Sequence, residues 1–205
     1  MPRTFAPDSV TPEDGLARLR EGNARFVAGE GGASRSWHPR LADGQRPFAV
    51  ILGCSDSRAP VEYVFDQGLG ELFVIRVAGN IVAPSLVGSV EFAVGAFGTR
   101  LVVVMGHTQC GAVGATVHAL EHGAPESPNL AAIVDRITPH VKSIFDKPGD
   151  HEAQVAAAVR ANAIAAAREM RDASPTLHEL VEKGRVVIAA AVYDLSTGVV
   201  TFLES

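Results

Sequence analysis

The sequence predicts a single α/β domain, residues 1–205, with a mostly parallel central sheet flanked by helices and an N-terminal helical arm. Three observations point there. The runs PFAVILGC (47–54), ELFVIRVAG (71–79) and RLVVVMGH (100–107) are short, β-branched and continuously apolar, as in strands buried on both faces of a parallel sheet. Helix-length stretches at 61–67 and 85–97 separate them, which reads as βαβ units with right-handed crossovers. A chain of 205 residues with 47% hydrophobic and 20% charged content also suits one sizeable core.

The elements follow in order, with arm and connector at 1–45 and the α/β core at 46–205. Residues 11–29 predict the first helix: Thr11 can cap it, Pro12 suits its first position, and Asp14 stands where a capping box places an acid. Leu16, Leu19, Phe26 and Val27 give it an apolar face. Residues 30–47, with Gly, Ser and Arg, read as an exposed connector. Beyond the third strand, GAVGATVHALEH (111–122) and an amphipathic stretch at 129–145 predict two helices. The Ala-rich run 151–170 predicts a third, with Val155, Val159, Ala163 and Ala166 on one face. VVIAAAVYDL and VVTFLES, joined by STG, predict a closing strand pair. No internal repeat, low-complexity tract or domain-length linker interrupts the chain.

Composition narrows the function. A net charge of -5 and a pI near 5.8 argue against a surface for nucleic acid or anionic lipid. No apolar run reaches the ~18 residues of a membrane span. The N-terminus MPRTFAPDSVTPEDG lacks the apolar segment of a secretory signal. Two cysteines make no disulfide framework, so a reducing cytoplasm is the expected location.

Function in a doubly wound sheet gathers at the carboxyl ends of strands. Cys54-Ser55-Asp56-Ser57-Arg58 follows the first predicted strand and His107-Thr108-Gln109-Cys110-Gly111 follows the third, so both cysteines of the chain sit at strand ends expected to be neighbours. Two thiolates and an imidazole make a Cys₂His set that suits a catalytic zinc with one open position. The predicted helix start behind Cys110 would also lower its thiol pKa. Two small core cysteines, or a Cys54–Cys110 disulfide, would use the same residues differently. The joint occurrence of Cys, Asp, Arg, His and Cys favours the metal. A phosphate-binding thiolate loop is disfavoured by the position of Arg58 and by the absence of Gly-rich nucleotide motifs. The remaining histidines, His38, His118, His122, His140, His151 and His178, read as surface residues.

These motifs resemble the β-class carbonic anhydrases. C-x-D-x-R appears as Cys54-Ser-Asp56-Ser-Arg58 and H-x-x-C-G as His107-Thr-Gln-Cys110-Gly111, and the likeness runs from Gln45 to Ala115 through GELFVIRVAGN, VEFAVGAFGT and LVVVMGHTQCGAV. The resemblance implies Zn²⁺ held by Cys54, His107 and Cys110, with Asp56 and Arg58 as a catalytic dyad and Asp56 a fourth ligand in an inactive state. It implies reversible hydration of CO₂ to bicarbonate and a proton by zinc-bound hydroxide. It also implies a homodimer or homotetramer with clefts at the subunit boundary, in which Gln45 binds substrate and Phe73 lines the cleft. Phe92 stands where some members carry Tyr, which removes a hydroxyl. Of the Trp, Arg and Tyr that build a non-catalytic bicarbonate site in one branch, Arg76 and Tyr193 match, but Ile51 replaces Trp. No such site is therefore expected, and core-edge hydrogen bonding suits Arg76 and Tyr193 equally well.

Charge shapes the expected chemistry. Two thiolates cancel the ion's formal charge, so its water should be less acidic than on three imidazoles, and activity should rise toward alkaline pH. Arg58, offering a bidentate fork, would keep Asp56 off the metal. Phe73, Val77 and Phe92 suit an apolar wall and the Gln45 amide a donor. Carbonyl sulfide or carbon disulfide hydrolysis could use the same site. A non-catalytic zinc-dependent interaction protein is disfavoured by the complete Asp56–Arg58 pair.

Overall fold

The computed structural model describes residues 9–33, 37–123, 125, 127–145 and 150–203. The N-terminal stretch 1–8, residues 34–36 of the connector and the last two residues of VVTFLES lie outside that description, as does the His151 side chain.

Five strands form one sheet: β1 (Ala49–Gly53), β2 (Leu72–Arg76), β3 (Leu101–His107), β4 (Val187–Tyr193) and β5 (Val200–Leu203). Their order is β2-β1-β3-β4-β5. The first four run parallel and β5 returns antiparallel to β4. The hairpin between them is closed by Asp194, whose Oδ1 accepts from the Ser196 amide at 2.7 Å, and by Gly198 at φ 77°. The central strands β1 and β3 are buried along their whole length, which explains their unbroken apolar sequence.

Alternate residues of those strands feed two cores. Val50, Leu52, Val102 and Val104 face one layer, made with α3 (Pro84–Phe97), α4 (Gly111–His122), α5 (Pro128–Phe145), α6 (His151–Asp172) and α7 (Pro175–Glu182). Ala49, Ile51, Leu101, Val103 and Met105 face the other, covered by α1 (Pro12–Ala28) and the single turn α2 (Val61–Val64).

The arm helix begins as its sequence predicts. Thr11 Oγ1 accepts from the Asp14 amide at 3.1 Å, Pro12 occupies the first turn, and Gly29 ends the helix at φ 71°. Leu19 is buried and Leu16 and Phe26 pack against the same core, as predicted, while Val27 is exposed. The closest approach runs over Gly22, where a Cβ would stand 1.8 Å from the Phe65 carbonyl oxygen. Buried Asn23 beside it donates to the Val64 and Gly198 carbonyls and accepts from the Val200 amide, pinning the β4–β5 hairpin to α2.

Among the described residues three elements lie outside the predicted set, one of them the 3₁₀ turn Ala78–Asn80 where a strand run was expected to continue. The connector contains a 3₁₀ turn at Pro39–Asp43, capped by the His38 ring. α7 starts at Ser174, whose Oγ accepts from the Leu177 amide, with Pro175 in the first turn, and it buries Leu177 and Leu180.

Candidate metal centre and active site

Strand pairing fixes the site. Gly53, the last residue of β1, lies opposite Met105 of β3, so Cys54 and His107 leave two adjacent central strands at the same end of the sheet. After His107 the chain turns through Gln109, held at φ 57°, a left-handed conformation uncommon outside glycine and asparagine. That turn returns Cys110 to the same point as the residue capping α4. The Cys54, His107 and Cys110 ligand atoms all lie within 4.8 Å of one another, and all three residues are buried.

The residues fit a metal ion. His107, 0% exposed, lies with Nδ1 2.9 Å from the Thr108 carbonyl oxygen. A carbonyl can only accept, so Nδ1 carries the proton and Nε2 presents a lone pair. That Nε2 is buried and has no hydrogen-bond partner among the described residues, an arrangement that costs free energy unless something coordinates it. Cys54 Sγ and Cys110 Sγ are free thiols 3.9 Å apart, so the disulfide alternative is set aside. The side-chain hydrogen bond with Cys110 pulls the Cys54 thiol well below the usual range. Cys110 moves the opposite way, raised first by that same bond with Cys54 and then by burial. Amides of Ala112 and Val113 at the start of α4 pull Cys110 down, as the sequence suggests, but they are outweighed.

Beside the triad stands the dyad. Arg58 donates from Nε to Asp56 Oδ1 at 3.0 Å and from Nη2 to Oδ2 at 2.7 Å, and its amide donates to Oδ1 at 2.9 Å. This two-pronged contact holds the Asp56 carboxyl far below the usual carboxylate range. Oδ2 also lies 3.9 Å from His107 Nε2. Asp56 is thus ionised, oriented and next to the ligand atoms.

Over residues 49–200 the chain matches the carbonic anhydrase family. It is 39% identical over 192 residues to a carbonic anhydrase of Mycolicibacterium smegmatis, covering 88% of this chain and 87% of that protein. The chain belongs to the carbonic anhydrase family. Carbonic anhydrase 2 of Mycobacterium tuberculosis is 42% identical over 141 residues, 65% of this chain and 66% of its own length. The fold of the β-carbonic anhydrase CcaA superposes with a TM-score of 0.73 at 23% identity, over 94% of this chain and 90% of that one.

Within one chain of this carbonic anhydrase, Gln45, Phe73 and Phe92 do not join the triad. Phe73 pairs with Val50, four residues before Cys54, which sets their backbones about 13 Å apart along the strands. Its ring meets Phe92 and Phe97 at centroid distances of 6.2 and 6.0 Å. Gln45 and Phe97 share a cavity with Leu41 and Leu69. Gln45 and Leu69 precede β1 and β2, Phe73 is the second residue of β2, and Phe92 and Phe97 of α3 pack on its ring, so the group sits toward the end of the sheet opposite the triad. Val77 does lie near it, its amide donating to the Gly53 carbonyl.

Two residues gain roles from tertiary contacts alone. Arg76 donates from Nε to the Cys54 carbonyl at 2.9 Å and from Nη2 to the Asp56 carbonyl at 2.5 Å, so its guanidinium braces the ligand loop. Gly79 donates its amide to Cys54 Sγ at 3.4 Å. A glycine three residues past a strand is the one signal the sequence offers for it. Tyr193 pairs with His107 across β3 and β4 and packs with Ile51 in the layer beneath α1.

Proposed function

We propose that this carbonic anhydrase catalyses zinc-dependent reversible hydration of CO₂ to bicarbonate and a proton. The observation that carries the reading is the convergence of Cys54, His107 and Cys110 on one point beside the Asp56–Arg58 pair. Zinc is the metal because two thiolates and one neutral imidazole are borderline-soft donors that suit it. Held there, it would act as a Lewis acid that activates water toward CO₂.

The chain's own groups do the rest. Thr108 fixes the His107 tautomer, so that Nε2 faces the ligand position. Asp56 accepts a hydrogen bond from the attacking water and aims its lone pair, while Arg58 keeps both carboxylate oxygens occupied and away from the fourth ligand position. A second copy of the chain completes the cleft. Phe92 is 58% exposed, and Gln45, Phe73 and Phe92 are too distant to wall the site of their own chain. A homodimer, alone or paired into a homotetramer, places them against the partner's triad as apolar wall and amide donor. We place the enzyme in the cytoplasm, where Cys54 and Cys110 stay reduced. Among the described residues no helix is long and apolar enough to cross a membrane.

Stopped-flow CO₂ hydration with metal analysis tests the reading. About one zinc per chain and rapid turnover, both lost in Cys110→Ser, are expected. A metal-free chain, or a zinc-loaded chain without turnover, overturns it.

A further inference from the structure

The amide that reaches the Cys54 sulfur belongs to a turn with one internal hydrogen bond, from the Asn80 amide to the Val77 carbonyl. Gly79 lies in the 3₁₀ turn Ala78–Asn80 at φ 70°, and Asn80 follows at φ 43°. The turn is held from outside by α5 and α6. Ile137 of α5 packs so close that a Cβ on Gly79 would lie 2.7 Å from its Cδ1. Asn162 of α6, 1% exposed, donates from Nδ2 to the Gly79 carbonyl at 2.9 Å.

That bond orients the Asn162 amide, since a carbonyl offers no proton in return. Oδ1 therefore points the other way and lies 3.0 Å from Nδ1 of His140 on α5, so Nδ1 carries the proton. The opposite ring nitrogen of His140 stands 3.3 Å from Glu169 Oε2. The His140 side chain is only 14% exposed, unlike the surface residue its sequence context suggests. A series of polar contacts thus runs from Glu169 through His140 and Asn162 to the Gly79 carbonyl, and the amide of the same residue, in the preceding peptide group, donates to a ligand sulfur.

We propose that Asn162 and His140 are positioning residues for the Cys54 thiolate. By anchoring the Gly79 carbonyl they hold in place the residue whose amide donates to the sulfur, and so set how strongly that sulfur binds the metal. This rests on the metal reading given above. An N–H donor on a metal-bound thiolate withdraws electron density from sulfur and restrains its direction; outer partners of this kind commonly change metal affinity by about 10–100-fold. His140 orients the Asn162 amide, and Asn162 anchors the turn. If the same residues only tied α5 to α6, their loss would lower stability and leave the metal's own properties untouched.

Cobalt(II) substitution separates the two. The sulfur-to-cobalt charge-transfer absorption, the rate of cobalt extraction by a chelator and the melting temperature are compared for the whole protein and for Asn162→Leu, His140→Leu and His140→Asn. We expect a shifted charge-transfer band and about tenfold faster extraction in the two leucine variants. His140→Asn, which places an amide donor where Nδ1 stood, should restore both. His140→Leu is the variant least exposed to folding failure and decides the matter if Asn162→Leu does not fold. A normal band and normal extraction in folded His140→Leu overturn the inference while leaving the metal reading intact. A parent chain that takes up no cobalt with a thiolate band overturns both.

Discussion

Arg76 leaves the end of β2 and donates from Nε to the carbonyl oxygen of Cys54 at 2.9 Å, tying an edge strand to a metal-ligand candidate on its central neighbour. Its second arm reaches the Asp56 carbonyl. One side chain therefore braces the backbone of both a ligand and the dyad carboxylate. Arg76→Ala should weaken metal retention about tenfold, as loss of an outer partner does, and should reduce turnover further by loosening Asp56. Arg76→Lys, with no fork, should restore little. Chelator competition and kcat on the same preparations check this.

The Asp56–Arg58 contact makes a separate prediction. Arg58→Ala should lower turnover on the order of 100-fold, the scale of a misplaced reacting group, while metal content stays unchanged. Arg58→Lys should remain impaired. Because Arg58 holds the Asp56 carboxyl so low, Asp56 stays ionised across the neutral range, and the expected rise of activity from pH 6 to 9 belongs to another group. A lysine variant with normal stopped-flow rates would remove the dyad's role.

Stability at low pH should depend on Asp66. Its side chain is 1% exposed and 2.7 Å from Arg25 Nε. Burial raises its pKa, but Arg25 and the Ala33 and Gly32 amides overcome this and bring it to about 2. A folded-state pKa below the unfolded value of about 3.9 means stability that is present above that value and lost as pH falls through about 2. Asp66→Asn should therefore cost about 1–3 kcal/mol at pH 7, and the gap to the parent should close toward pH 2. Urea unfolding at several pH values measures it.

Gly79→Ala should destabilise the chain by about 1–3 kcal/mol, since a left-handed alanine is strained and its methyl group would meet Ile137 and Ala112. The same change should speed metal loss, because the turn carries the amide on Cys54. Thermal melts and chelator extraction should move together.

If each cleft draws its triad from one copy and its wall from another, two inactive chains should complement. Cys110→Ser mixed with a Gln45→Ala, Phe73→Ala double variant should recover about a quarter of parental activity after random re-pairing of dimers. No recovery in a confirmed heterodimer would place the wall elsewhere.

The parts legible from sequence were those whose signal is local. β1 and β3 announce themselves because strands buried on both faces need unbroken apolar runs, and the triad because Cys54 and the His107–Cys110 pair lie at the ends of those runs. α7 carried its own start signal in Ser174 and Pro175, but eight residues supply too little periodicity to stand out. His140 looked solvent-facing because nothing near it in the chain foretells Asn162, 22 residues on, or Glu169 beyond it. Arg76 was readable as a core-edge hydrogen bonder, but its partners could not be named because they belong to another loop. Gln45, Phe73 and Phe92 were readable as substrate residues by likeness alone; the register of Phe73, its ring contact with Phe92 and the place of Gln45 ahead of β1 put them toward the far end of the sheet from the triad of their own chain.

The sulfur of Cys54 and the imidazole of His107 owe their spacing to the ladder between β1 and β3, which hydrogen bonding in the middle of the sheet sets independently of any ion. The cradle is thus part of the scaffold and is not moulded by its guest. Stripping the protein should leave a shaped, refillable receptacle, and foreign ions should be accepted or refused on fit and softness, without the chain having to fold anew around each.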